Sequence, residues 1–165
     1  MGICLDAHVP TTITHVRDLA SVVGEFLGHS EWHEITQRQV DLFAEATWDH
    51  QWIHTDPERA AAGPYGQTIA HGFLTMSLTP TLLAEIWRVD GVDMTVNQGM
   101  DNLRLRAPVP VGARVRMGAD LLSARTRPRG YHEVVVKLVW ELEHAGEQKK
   151  AATADLTILL RQTAA

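Results

Sequence analysis

The sequence predicts an α+β fold in which a curved antiparallel β-sheet wraps around one long central helix. Three observations predict it. Residues 72 to about 87 are apolar almost all the way round, with Phe73, Leu74, Met76, Leu78, Leu82, Leu83, Ala84, Ile86 and Trp87, the pattern of a helix covered on most sides. Beyond Gly91 the period becomes two: Val134, Val136, Leu138, Trp140 and Leu142 alternate with Val135, Lys137, Val139, Glu141 and Glu143, a strand with one apolar face. Pro108-Val109-Pro110-Val111-Gly112 and Arg127-Pro128-Arg129-Gly130 then punctuate the C-terminal half into an antiparallel meander of four or five strands, and such strands bury their apolar face against the helix.

Taken in order, Val16, Leu19, Ala20, Val23 and Leu27 recur at helical spacing after Thr14, a good N-cap, with Gly28 placed to end the helix. Residues 30–35 read as a short extended segment. Thr36-Gln37-Arg38-Gln39 has the form of a capping box, and Val40, Phe43 and Ala44 follow on one helical face while Asp41 and Glu45 point to water. A second short helix begins just after His54, capped either by Thr55 with Glu58 or by Asp56 with Pro57 at its first position. A loop at 62–66 precedes the central helix, within which Pro80 should cause a kink or local irregularity by removing one backbone donor. Residues 94–107, Val115 with Met117, Ala119 and Leu121, and Ala154 with Leu156, Ile158 and Leu160 supply the remaining strands.

At 165 residues, 45% hydrophobic and 21% charged, the chain fits one domain spanning 1–165 with a core of its own. The lone Cys4 cannot form an internal disulfide, which fits a reducing compartment, and the cytoplasm is the expected location. Residues 1–10 lack the basic and apolar regions of a signal peptide, and no apolar run approaches the roughly 18 residues a membrane span needs. No membrane association is expected. A net charge of −5 argues against a general nucleic-acid binder. Arg104, Arg106, Arg114, Arg116, Arg125, Arg127 and Arg129 do cluster, either as solvated strand faces or, 125–129 among them, as contacts for an anionic ligand such as a nucleotide-bearing cofactor.

The chemistry-bearing segment is Trp48-Asp49-His50-Gln51-Trp52-Ile53-His54, with Ala70-His71-Gly72 downstream. Asp49 and His54 would lie about 140° apart on a continuous helix and on opposite faces of a strand, so they meet only if the chain bends between them. The cap after His54 supplies a bend. A carboxylate and an imidazole facing one pocket suit general acid–base work, because histidine titrates near neutrality. Gly72, at a helix start, offers unpaired N–H groups and the positive end of a dipole to an oxygen gaining charge. His50 and His54 also have the spacing of a helical zinc pair, but the cap at Pro57 confines a helix to residues after His54 and no glutamate follows His50. No metal is expected.

Asp-His-Gln-Trp-Ile-His-Thr-Asp-Pro, then Gly-Pro-Tyr-Gly, then Ile-Ala-His-Gly opening a buried helix, resembles the hydratase motif of the MaoC-like, (R)-specific enoyl-CoA hydratase family, in its branch related to nodulation protein N. The resemblance runs from about Leu19 to Leu160 and includes the segment from Met100 to Val109. It implies a hot-dog fold and reversible hydration of a trans-2-enoyl-CoA to an (R)-3-hydroxyacyl-CoA. The matching Asp49 and His54 would hold and activate the water, and the Gly72 N–H would hold the thioester carbonyl. Trp48, Gln51, Ile69, Ala70 and His71 become candidate pocket residues, with His71 more simply read as a satisfied buried side chain. The family often has Gly before the aspartate, Asn-Pro-Leu before the histidine and, in some members, a serine on the central helix; here those positions hold Trp48, Gln51-Trp52-Ile53 and Pro80. The resemblance also implies a homodimer, an acyl-CoA or acyl-carrier-protein substrate, and no cofactor beyond that substrate. Hot-dog thioester hydrolysis and non-catalytic acyl-thioester binding are the competing readings.

Overall fold

The computed structural model describes residues 12–163, so Cys4 and the segment 1–10 lie outside the described residues. Within them, a six-stranded sheet curves around a helical segment. Strands β6 (Arg114–Arg127), β7 (Tyr131–His144) and β8 (Glu147–Gln162) form the meander expected. The β5 strand (Val92–Leu105) pairs with β8 rather than with β6, so the chain crosses the end of the sheet between β5 and β6. That departs from a simple meander over the whole C-terminal half, because alternation fixes which face a residue takes and not which neighbour its strand has. Short strands β2 (Phe26–His29) and β3 (His33–Glu34) both pair with β6.

The alternation translates directly into burial. Val134, Val136, Leu138 and Trp140 on β7 are wholly buried, as are Val115, Met117, Ala119 and Leu121 on β6. Leu156, Ile158 and Leu160 of β8 join the same cluster, with Leu82 and Ile86 packed onto it. Each such aliphatic side chain contributes about 1.5–3 kcal/mol relative to exposure.

The first expected helix does not form. Thr12–His15 is strand β1, paired in parallel with β4 (Trp87–Asp90), and Thr14 accepts a hydrogen bond from the Trp87 indole at 3.1 Å instead of capping. Only Val16–Val22 coils, as a 3-10 helix burying Val16 and Leu19, a spacing of three that suits both helix types. Gly24, at φ +90°, then turns the chain so that its N–H meets the Leu121 carbonyl, and Gly28 lies in an irregular stretch of β2. β-branched residues around the turn favour this over a continuous α-helix.

Helix α1 (Gln37–Thr47) has the capping box predicted, with Thr36 and Gln39 bonding reciprocally. His54 sits inside a single helical turn, α2 (Trp52–Thr55), closed by the His54 N–H on the Gln51 carbonyl, so helical structure does not wait until after His54. Asp56, not Thr55, caps α3 (Pro57–Ala61), accepting from the Arg59 N–H, because Pro57 fixes the first helical position. The central helix is two pieces, α4 (Gly72–Ser77) and α5 (Thr79–Ile86), with Pro80 in the first turn of the second. The break falls just ahead of the ring, where a missing N–H does least harm. It is less enclosed than expected: Phe73 is 75% exposed, since a single chain's sheet covers only one side.

Candidate active site

The chain bends at Trp48, which ends α1 in the left-handed conformation at φ 61°. Asp49 follows in the turn, and α2 then carries His54 back toward it. Asp49, His54 and His71 each place one polar side-chain atom within 4.8 Å of the others'. Asp49 is exposed, whereas His54 and His71 are buried.

His54 is held from both sides. Its Nδ1 lies 2.7 Å from the Ile69 carbonyl oxygen, which only accepts, so Nδ1 carries the proton and Nε2 of the neutral ring is left as an acceptor. The backbone around the Ile69 carbonyl is itself fixed: the Ile69 N–H donates to the Ile53 carbonyl, the Ala70 N–H to that of Val109, and the Val111 N–H to that of Thr68. Gln37 adds a clamp, donating from Nε2 to the His54 carbonyl at 2.7 Å and accepting from the Thr68 hydroxyl at 2.6 Å. Burial holds the His54 pKa below the ordinary histidine value; the Ile69 hydrogen bond opposes this, His71 adds to the lowering and Asp49 counters it.

His71 stacks on His54 with ring centroids 3.8 Å apart and donates from Nε2 to the Asp49 carbonyl at 2.9 Å. It thereby ties the turn bearing Asp49 to the start of α4. With the rings at 27°, the two imidazole planes are close to parallel, and the three polar atoms lie near enough together that the cluster could also meet a cation.

A cavity of about 260 Å³ opens beside His54, lined also by Ile69, Ala70, Gly72, Thr75, Tyr65, Leu105 and Arg106. His54, Ile69, Ala70 and Gly72 thus meet as expected. Trp48, Asp49 and Gln51 do not line it: the left-handed turn throws Trp48 outward to 87% exposure, Gln51 is an exposed N-cap, and Asp49 reaches the site only through its closeness to His54. His71 lies behind His54, packed against it and Phe43. At Gly72, a Cβ would fall 2.5 Å from Leu105 Cδ1, so the missing side chain leaves room for a residue from the neighbouring strand. His71 caps α4 without a side-chain hydrogen bond, which leaves the first-turn N–H groups free of a capping oxygen.

Three further residues line the cavity that the sequence did not single out as site residues. Thr75 was legible only as the residue one turn after Gly72. Tyr65 belongs to the Gly-Pro-Tyr-Gly stretch of the motif, and Arg106 follows the end of β5, distant in sequence from His54. Of the arginine cluster, Arg114, Arg116 and Arg127 pair with Glu143, Glu141 and Glu133, and Arg106, not 125–129, stands at the cavity, shared with a groove lined by Arg104 and Lys137.

A curved antiparallel sheet around a central helix, shared with solved hydratase structures, defines a hot-dog fold. Residues 18–141 match the family model described as MaoC like domain, and the chain belongs to that family. It is 48% identical to 3-hydroxyacyl-thioester dehydratase Z of Mycobacterium tuberculosis over 144 residues, 87% of this chain and 94% of that protein. Nodulation protein N of Rhizobium leguminosarum bv. viciae is 42% identical over 145 residues, 86% of this chain and 89% of that one. An R-hydratase structure from Pseudomonas aeruginosa superposes with a TM-score of 0.64 at 23% identity, covering 86% of this chain and 83% of its own. The chain is an enzyme of the hydratase and dehydratase class. No helix among the described residues is long and apolar enough to cross a membrane.

Proposed function

We propose that this protein reversibly adds water to a trans-2-enoyl thioester, giving an (R)-3-hydroxyacyl thioester carried on coenzyme A or an acyl-carrier protein. The observation that carries the reading is the His54–Ile69 hydrogen bond, which leaves Nε2 as the acceptor of a ring that lines the cavity and has a nitrogen within 4.8 Å of an Asp49 carboxylate oxygen. A water bound there finds two acceptors, one for each of its protons. As its oxygen attacks C3, one proton passes to the Asp49/His54 pair, and the C2=C3 electrons move toward the thioester oxygen. The proton then goes to C2, completing addition of H and OH. The negative charge on the thioester oxygen is met by the N–H of Gly72, where the first-turn donors of α4 have no capping side chain.

The chemistry needs neither a metal nor a redox group, since water, one base pair and one oxyanion donor balance every atom. Ile69, Ala70, Leu105 and Tyr65 are the walls for the acyl end. A homodimer belongs to the proposal: β5 ends the sheet with one free edge, and Phe73 projects from the central helix uncovered.

Incubation with a short trans-2-enoyl-CoA tests the reading. Loss of enoyl absorbance without release of thiol is the expected result. Thiol release would indicate hydrolysis, and no reaction would indicate a binding protein; either would overturn the proposal.

A further inference from the structure

Thr75 is 2% exposed, and its Oγ1 has no hydrogen-bond partner. Its neighbours on the same helical segment behave differently: Ser77 donates back to the Leu74 carbonyl and Thr79 to that of Met76, the usual local solution for a hydroxyl in a helix. Thr75 forgoes this solution while lining the cavity with His54 and Gly72. An unsatisfied buried hydroxyl costs stability, so it calls for a partner supplied from elsewhere.

We infer that the Thr75 hydroxyl donates a hydrogen bond to the substrate's thioester oxygen, as a second oxyanion donor beside the Gly72 N–H. The inference rests on the hydratase reading and adds a catalytic residue to it. The polar groups at the cavity, His54 and Thr75 in its wall and Asp49 beside His54, divide by role. Asp49 and His54 Nε2 accept protons from water, whereas an enolate oxygen needs donors, and Thr75 lies one helical turn beyond Gly72. Its hydroxyl is a donor that no protein group occupies. Because charge on that oxygen grows toward the transition state, the bond should act on kcat more than on KM.

The test uses the full-length protein, its Thr75→Val and Thr75→Ser variants, and a short trans-2-enoyl-CoA. Valine keeps the shape and removes the hydroxyl. Thr75→Val should lower kcat by about 10–100-fold with KM within about threefold, while its melting temperature holds or rises by about 2–4 °C as an unpaired buried group is lost. Thr75→Ser should recover kcat to within about fivefold of the parent. An active parent with Thr75→Val at the parental kcat overturns this inference alone. So does a loss of kcat that comes with a lowered melting temperature and that serine does not repair, since that marks a packing role. An inactive parent overturns the hydratase reading and this inference with it.

Discussion

His54 donates from Nδ1 to the carbonyl oxygen of Ile69 at 2.7 Å, joining two residues that lie 15 positions apart in the chain. This bond selects the tautomer, and the tautomer decides what the ring can do at the cavity. Replacing His54 with alanine should lower kcat/KM by about 10²–10⁴-fold, measured on the purified variant with a short enoyl-CoA.

Burial sets the pH behaviour. The folded-state pKa of His54 lies below its unfolded value, so as pH falls the unfolded chain takes up this proton first. The stability that neutral His54 confers is full above the ordinary histidine pKa of about 6.5 and is lost as pH falls from there through the folded value. The acid limb of kcat/KM should accordingly lie below about 6.5. NMR titration of the ring checks the assignment: in Asp49→Asn the His54 pKa should fall further, because the Asp49 charge raises it.

Gln37 binds the His54 carbonyl and the Thr68 hydroxyl at once. Gln37→Leu should cost about 1–3 kcal/mol of stability, since it strands the buried Thr68 hydroxyl. Urea unfolding measures this, and an unchanged midpoint would show that the clamp contributes nothing.

The capping box and the apolar faces of β6, β7 and β8 were legible because they are local patterns with a fixed period. The need for a bend between Asp49 and His54 was legible from their spacing, but its source was not: the left-handed Trp48 and the α2 turn make it, not the cap after His54. What escaped depends on contacts distant in sequence. The Ile69 carbonyl, Gln37, Thr75 and Arg106 gain their roles from neighbours brought up by folding, and the pairing of β1 with β4 overrode a helical spacing at Val16 and Leu19 that a 3-10 turn satisfies equally well. Trp48 shows the limit in the other direction. Its place in the motif suggested a pocket wall, but one positive φ turns it to solvent.

That φ of 61° has its own consequence. A left-handed residue with a side chain carries about 1–2 kcal/mol of strain that glycine avoids, partly offset by the backbone freedom glycine adds to the unfolded chain. Trp48→Gly should therefore raise the melting temperature by about 1–3 °C. A lower one would mean that the indole makes a stabilising contact, such as one with a second subunit.

Gly72→Ala separates the thioester site from the fold. The new methyl meets only the end of the exposed Leu105 side chain, which can swing away, so stability should change by less than about 1 kcal/mol. The methyl enters the cavity beside the N–H proposed to hold the thioester oxygen, and kcat/KM should fall by at least about tenfold.

Asp49→Asn tests the central claim most directly. Asp49 is exposed and its carboxylate has no hydrogen-bond partner recorded among the described residues, so the variant should melt with the parent. Hydration of a short trans-2-enoyl-CoA, followed by loss of enoyl absorbance, should be abolished in it. A folded Asp49→Asn protein that hydrates at the parental rate would contradict the account.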